Sequence, residues 1–203
     1  MSLPGRPKGE FRSAQHEGIP MSAPTMLNPP VPRAASKANW RFLFAHPAHA
    51  LALGFGSGLS PIAPGTVGTL WAWLAFALLR PHLSSAQWGG LIGASLLLGW
   101  WACTVAARNL ALADPGAIVW DEIVAFWLVL WLVTPASFWA QCGAFVLFRF
   151  FDAAKPGPVA WADSLFKGRR GQPIGWAQGF GILFDDLVAA LCSLLVIALW
   201  RIV

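Results

Sequence analysis

Charge is what this sequence has least of. Only 11% of its 203 residues are Asp, Glu, Lys or Arg, and 57% are hydrophobic. A soluble domain is roughly a quarter charged. The scarcity excludes an ordinary soluble fold and points to a one-domain polytopic membrane protein. Tyrosine is absent, yet there are 13 tryptophans, and Trp71, Trp88, Trp100, Trp131, Trp139 and Trp200 flank apolar runs. That placement suits aromatic anchoring at a membrane interface. Cysteine is limited to Cys103, Cys142 and Cys192, all inside apolar runs and without a Cys-x-x-Cys pair. Thiolate metal ribbons and redox pairs are thereby excluded, and the three read as small buried hydrophobes. Basic residues exceed acidic ones, 14 to 9, but they are scattered and no nucleic-acid module is present. Nucleic acid is not an expected partner; anionic lipid headgroups account for the excess.

Further absences narrow the chemistry. The glycine-rich stretch is not closed by Gly-Lys-Ser/Thr, so it is no Walker loop. Cys142 and Arg149 stand seven apart without the glycines of a thiolate phosphatase loop, and no Asp-x-Asp nucleophile motif occurs. The chain has 4 histidines, none beside an acidic cluster, which leaves a phosphohistidine without support. The Asp-Gly, Ala-Arg and spaced-Asp pattern of phosphotransferases that use cytidine diphosphate-alcohols is missing too.

What is there divides along the chain. Residues 1–37 read as a disordered, Pro-rich basic tail, with seven of the 16 prolines in residues 1–35. With no apolar stretch before Pro20, this does not read as a signal peptide. Residues 38–203 form the membrane domain. Residues 38–53 suit an interfacial helix, and His46 and His49, with Pro47 between them, read as facing headgroups rather than a metal. Residues 54–69 hold five glycines and two prolines, a loop whose backbone N–H groups and hydroxyls (Ser57, Ser60, Thr66, Thr69) can cradle an oxyanion before a helix. Tight helix packing is the other use of such a loop.

Apolar runs follow at about 67–79, 88–107, 117–133, 138–151 and 180–200. A full span needs roughly 20 residues, which only the second and last reach comfortably. The expected fold is all-α, with about 4–5 membrane-associated helices and short cytoplasmic loops. The tail through Arg41 carries six Arg or Lys, and the 152–179 loop adds Lys155, Lys167, Arg169 and Arg170. The positive-inside rule puts both in the cytoplasm. Five alternating spans then bring residues 54–66, 108–122, 149–180 and 184–186 to that same face.

Five of the nine acids, Asp121, Glu122, Asp152, Asp185 and Asp186, lie against apolar runs. Carboxylates placed there are costly unless paired or metal-bound. Capping explains an acid in a first helical turn, as for Asp121 or Asp185, but not two doublets and a third site on one face. Hard oxygen ligands select Mg²⁺ or a similar ion, which takes one or two carboxylates and substrate phosphate. Arg149, Asp152 and Lys155 stand at i, i+3 and i+6, on one side of a continuing helix. Asp152 then suits a metal and Arg149 and Lys155 a phosphate, with Ser57 and Thr66 as further phosphate contacts. Pro156 is expected to hold Lys155 extended. Metal-assisted attack by water is the chemistry that remains.

Four motifs in order resemble the phosphatidylglycerophosphatase A family, bacterial inner-membrane lipid phosphatases. They are the stretch Gly54 to Thr69; Ile118-Val119-Trp120-Asp121-Glu122; Phe148-Arg149-Phe150-Phe151-Asp152 with Lys155-Pro156-Gly157-Pro158; and Gly179-Phe180-Gly181-Ile182-Leu183-Phe184-Asp185-Asp186. The resemblance covers roughly residues 40–200. It implies Mg²⁺-dependent removal of the terminal phosphate of phosphatidylglycerophosphate, giving phosphatidylglycerol on the cytoplasmic leaflet. Asp121, Glu122, Asp152, Asp185 and Asp186 would be catalytic, metal-site acids, with Lys155 near phosphate. Two departures stand out. Residues 163–178 look longer than the family's usual link, and Gln178-Gly179 replaces an expected Gly-Gly. The rival readings are a small transporter or channel that uses membrane-edge carboxylates for cations, and a non-catalytic subunit of lipid enzymes.

Overall fold

A computed structural model describes residues 37–166 and 173–202. The expected tail, apart from Lys37, lies outside the described residues, as do Lys167, Arg169 and Arg170. Among the described residues there are eight α-helices and no strand: α1 (Trp40–Ala45), α2 (Pro47–Ala52), α3 (Pro64–Leu79), α4 (Ser85–Leu110), α5 (Trp120–Val133), α6 (Phe138–Ala154), α7 (Pro158–Phe166) and α8 (Trp176–Ile202). Short 3₁₀ segments, Gly54–Leu59 and Arg80–His82, stand on either side of α3.

The five apolar runs correspond to α3, α4, α5, α6 and α8, so the fold class is the expected one. Among the described residues, only α4 and α8 are long and apolar enough to cross a membrane, over Ser85–Leu110 and Trp176–Arg201. Helices α3, α5 and α6 have 16, 14 and 17 residues. At ~1.5 Å per residue they measure about 21–26 Å, less than the roughly 30 Å of a hydrocarbon core.

Local chemistry sets the helix ends. Ser84 and Gln87 form a reciprocal capping box at the start of α4. Ser137 accepts from Ala140 N at the start of α6. Gly175 N donates to Gln178 Oε1 (2.8 Å) where α8 begins. Helices α4 and α6 both close on a left-handed residue, Ala111 and Lys155.

Cross-contacts fix the alternation of direction. Arg108, near the end of α4, donates to Ile174 O just before α8 (2.7 Å). Arg201, near the end of α8, donates to Val133 O at the end of α5 (2.9 Å). Trp131 donates to Ser85 Oγ across that same far end (3.1 Å). The N-terminal ends of α3, α5 and α8 therefore gather with the C-terminal ends of α4 and α6.

Helix α5 is the axis. Ile123, Val124, Ala125, Phe126, Val129 and Leu130 are all fully buried, which covers every side of the helix. Indole donors tie it to its neighbours: Trp120 to Ser95 O of α4 (3.0 Å) and Trp127 to Ala72 O of α3 (2.8 Å). Outside, Leu70, Leu74 and Leu78 on α3 and Leu191, Leu195 and Leu199 on α8 form exposed apolar stripes at helical spacing. The flanking tryptophans divide: Trp139 and Trp200 are 79% and 85% exposed, whereas Trp88 is buried against Phe76 and Trp127.

Two expectations change here. His49 does not face headgroups; it is 4% exposed and stacked on Phe42. Its Nδ1–H donates to Phe42 O (2.8 Å), and Asn109 Nδ2 donates to its Nε2 (2.7 Å), which locks α2 against the end of α4. His46 caps α2, accepting from Ala48 N (3.1 Å). The stretch after α6, expected as a loop, contains α7. Val159 and Ala162 are buried there, and Phe166 packs edge-on to Phe180 and Phe184 of α8.

Candidate active site

The polar residues that the apolar helices carry meet where α5 begins and α6 ends. Asp121 and Glu122 occupy the first turn of α5. The residue just before it is anchored by Val119 N donating to Ala52 O (3.0 Å). Helix α3 comes in close because Gly65 has no side chain. A Cβ there would overlap the Glu122 carboxylate and reach within 3.1 Å of Arg149 Nη1. Packing of α3 on α5 is thus one use of the glycine-rich stretch.

Arg149 is the first hub. Its Nη1 donates to Glu122 Oε1 (3.1 Å), to Asp152 Oδ2 (2.5 Å) one turn along α6, and to Thr69 Oγ1 (3.4 Å). Thr69 is fully buried and donates in turn to Gly65 O (2.8 Å). Lys155 is the second hub. Its Nζ donates to Asp163 Oδ1 of α7 (2.6 Å) and Asp185 Oδ2 of α8 (2.5 Å). Burial pulls the Lys155 ammonium down, but its hydrogen bonds to the two carboxylates, and their charges, outweigh that and hold it above the ordinary lysine value.

Beside these hubs, three buried carboxylate oxygens have no hydrogen-bond partner: Asp121 Oδ1, Glu122 Oε2 and Asp186 Oδ2. Asp186 is only 3% exposed, and it lies within electrostatic reach of Asp152, Asp121, Glu122 and Asp185. The five expected acids therefore form one neighbourhood, together with Arg149 and Lys155.

Other expectations are corrected. Asp185 is not in a first turn, since α8 starts at Trp176; it lies about two and a half turns in, at ~3.6 residues per turn. Capping does not explain it. Lys155 is not extended but left-handed (φ 44°, ψ 52°), and its N–H closes α6 on Phe151 O (3.0 Å). A residue before proline avoids helical conformations, so this geometry is held by the two ion pairs rather than by local preference. Ser57 is not brought to the carboxylates. Its hydroxyl donates to Gly54 O (2.9 Å), and it borders an apolar groove with Val67, Leu70 and Leu74. Thr66 sits half-buried in the first turn of α3, next to Gly65.

Two site residues were not singled out from the sequence. Thr69 was only one hydroxyl among four in the glycine-rich stretch; its i, i+4 spacing from Gly65 was the available signal. Asp163 lies on α7, in the stretch expected to be loop. Pro158 opening a run with Val159, Ala162 and Phe166 at i, i+3, i+7 marks that helix. The Gln178 departure also finds its place: Gln178 caps the start of α8, and Gly179 packs against Thr104 of α4.

The donor set suits a hard divalent cation. The three unpartnered oxygens are buried carboxylate oxygens, and an uncompensated buried charge is costly unless a cation meets it. Among the described residues no three Asp, Glu, His or Cys side chains form a closed ligand group. An ion held here would complete its shell with water and substrate oxygen, as Mg²⁺ commonly does.

Fold and site together define a class: an α-helical protein of membrane type whose polar centre is built from buried carboxylates bridged by one arginine and one lysine. The chain belongs to the phosphatidylglycerophosphatase A family, whose sequence profile matches residues 50–201. It is similar to phosphatidylglycerophosphatase A of Escherichia coli (strain K12), 37% identical over 164 residues, covering 80% of this chain and 88% of that protein. The Haemophilus influenzae protein of the same name is 36% identical over 152 residues, covering 75% and 87%. A Bacteroides thetaiotaomicron protein named "Putative phosphatidylinositol-3-phosphatase" is 36% identical over 156 residues, covering 73% and 89%. No solved structure matches the chain.

Proposed function

We propose that the chain hydrolyses the terminal phosphate monoester of phosphatidylglycerophosphate, giving phosphatidylglycerol and inorganic phosphate in phospholipid synthesis. By its family it is an enzyme, a phosphoric monoester hydrolase. The observation that carries the reading is the convergence of the Asp121-Glu122, Arg149-Asp152-Lys155 and Asp185-Asp186 motifs on one centre inside the matched stretch.

Charge explains why a divalent cation belongs in the reaction. Asp121, Glu122, Asp152, Asp163, Asp185 and Asp186 outnumber Arg149 and Lys155. A phosphate monoester dianion entering that field is repelled. Mg²⁺, held by Asp121, Glu122 and Asp186 with Asp152 and Asp185 close by, would supply Lewis-acid charge neutralisation on the phosphoryl oxygens. The protein's own part is positioning. Arg149 spends Nη1 on Glu122, Asp152 and Thr69, which leaves Nε and Nη2 for a two-point contact with phosphate. Lys155 keeps one of its three N–H donors beyond Asp163 and Asp185. A carboxylate of this cluster takes the proton that an attacking water gives up; as the new P–O bond forms, the ester P–O bond breaks and that proton passes to the lipid alcohol as it leaves.

The exposed leucine stripes and the two long apolar helices support a multi-pass membrane location. The bacterial inner membrane, with the site facing the cytoplasm, is the placement we propose.

The test is phosphate release from phosphatidylglycerophosphate by purified protein in detergent, with Mg²⁺ and with chelator, beside Asp152→Asn. Phosphatidylinositol 3-phosphate serves as comparison substrate. Release that needs Mg²⁺, prefers phosphatidylglycerophosphate and is lost in Asp152→Asn is expected. Undiminished release in chelator overturns the metal assignment. No release from folded protein with either lipid overturns the phosphatase assignment and returns the transporter reading.

A further inference from the structure

The lysine that closes α6 presents a puzzle. A lysine meant to hold phosphate is already bonded to two carboxylates, Asp163 Oδ1 at 2.6 Å and Asp185 Oδ2 at 2.5 Å. One partner sits on a helix that carries nothing else of the polar centre. Helix α7 is short; it buries Val159 and Ala162 and is held to α8 by the edge-on packing of Phe166 on Phe180 and Phe184. Asp163 thus reaches Lys155 from α7 while Asp185 reaches it from α8, and the two carboxylates border one cavity with Asp114.

An unrestrained lysine side chain loses rotamer freedom when it is fixed. Two carboxylates fix it beforehand. An ammonium has three donors, so two bonds settle the direction of the third without using it up. The side chain retains 30% exposure, so that donor remains reachable. Lys155 has a left-handed backbone, unfavourable before Pro156, and its side chain reaches both α7 and α8.

We propose that Asp163 is a positioning residue: by bonding Lys155 from α7, alongside Asp185 on α8, it orients the remaining Lys155 N–H toward the phosphoryl group of the lipid substrate. This rests on the phosphatase reading above and extends it to a residue outside the acidic doublets.

The experiment is a kinetic double-mutant cycle in Mg²⁺ with phosphatidylglycerophosphate: wild type, Asp163→Ala, Asp163→Glu, Lys155→Ala and Asp163→Ala/Lys155→Ala. Asp163→Ala is expected to lower kcat/KM about tenfold, mainly through KM, the low end of what a hydrogen bond to a charged group is worth. Asp163→Glu restores most of it. In the Lys155→Ala background, removing Asp163 costs nothing more, because Asp163 acts through the lysine. Additive losses, or failure of Asp163→Glu to rescue, overturn the proposal, since a merely structural acid gives those results.

A second readout does not depend on turnover. Purified wild type and Asp163→Ala are treated with an amine-reactive ester, and modification of Lys155 relative to Lys37 is read by peptide mass spectrometry. A several-fold rise at Lys155 alone is expected in Asp163→Ala. An unchanged ratio overturns the positioning role. A rise in labelling with an inactive wild type keeps the restraint and sinks the phosphatase reading instead.

Discussion

Arg149 holds two buried carboxylates apart with one nitrogen, and its removal is costly for that reason. Arg149→Gln leaves Glu122 and Asp152 facing each other without a cation. Breaking a buried pair by removing one partner costs about 3–5 kcal/mol. The lower end applies here, because the arginine side chain keeps 18% exposure. The expected outcome is a clear drop in the thermal midpoint in detergent with chelator, partly recovered by Mg²⁺. An unchanged midpoint contradicts the hub. His49 gives a pH signature. Burial holds its pKa below the ordinary value, more than the Phe42 carbonyl raises it, and His46 adds to the lowering. The folded state therefore prefers neutral imidazole, with Nε2 accepting from Asn109. The unfolded chain binds the proton more readily, so this contribution is complete above about 6.5 and is lost as pH falls toward the folded pKa. Thermal midpoints between pH 8 and 5 should fall less in His49→Asn than in wild type; parallel curves refute the assignment. At this scale the sequence was readable where partners share a helix. Arg149 and Asp152 are one turn apart, and their pairing follows from spacing. Glu122 and Thr69 reach Arg149 from other helices, and no local pattern encodes that meeting.

Helices read well where apolar length decides them and poorly where packing does. The five apolar runs reported α3, α4, α5, α6 and α8, since burial and lipid-like surfaces both demand them. Helix α7 has nine residues and follows Pro156-Gly157, and it docks on α8, so length and the Pro-Gly-Pro start make its sequence read as loop. Closeness between helices was also hidden. Gly179 stands in the last of the four motifs, beside the Gln178 departure, and its Cα faces α4. A Cβ there would overlap the Thr104 side chain, whose hydroxyl donates to Trp100 O. Gly179→Ala must push α8 from α4 or displace Thr104. Overpacking of this kind costs typically 1–3 kcal/mol. The same shift would move Asp185 and Asp186, which ride on α8, relative to Asp121 and Asp152. The expected result is a lowered midpoint together with a reduced kcat, and Thr104→Ala partly relieves both because it removes the nearest atom. Wild-type behaviour in Gly179→Ala would mean that the α4–α8 contact is not a constraint on the site.

At the scale of the whole molecule the described residues are electrically lopsided, and that asymmetry makes the proposed sidedness testable. Among them, one end gathers Lys37, Arg41, Arg108 and Lys155 with the acidic centre; the other is marked by Arg80 and Arg201 and by the exposed Trp139 and Trp200. Lysine and arginine near helix ends stay on the cytoplasmic side, and the acidic end is where a cytoplasmic Mg²⁺ pool would meet it. Two exposed positions report the two ends. His82 lies in the 3₁₀ turn between α3 and α4, and Gly116 lies between α4 and α5, where an added side chain meets nothing within 4 Å. The native Cys103, Cys142 and Cys192 are buried or half-buried and can be replaced by Ala as a silent background. A membrane-impermeant maleimide added to intact cells is expected to label His82→Cys and leave Gly116→Cys unmodified, and inside-out vesicles should reverse the pattern. Labelling of Gly116→Cys from outside would put the carboxylate centre on the far leaflet. Labelling of both from one side would mean that α4 does not cross, and the multi-pass arrangement would fail while the helical packing that builds the site stands.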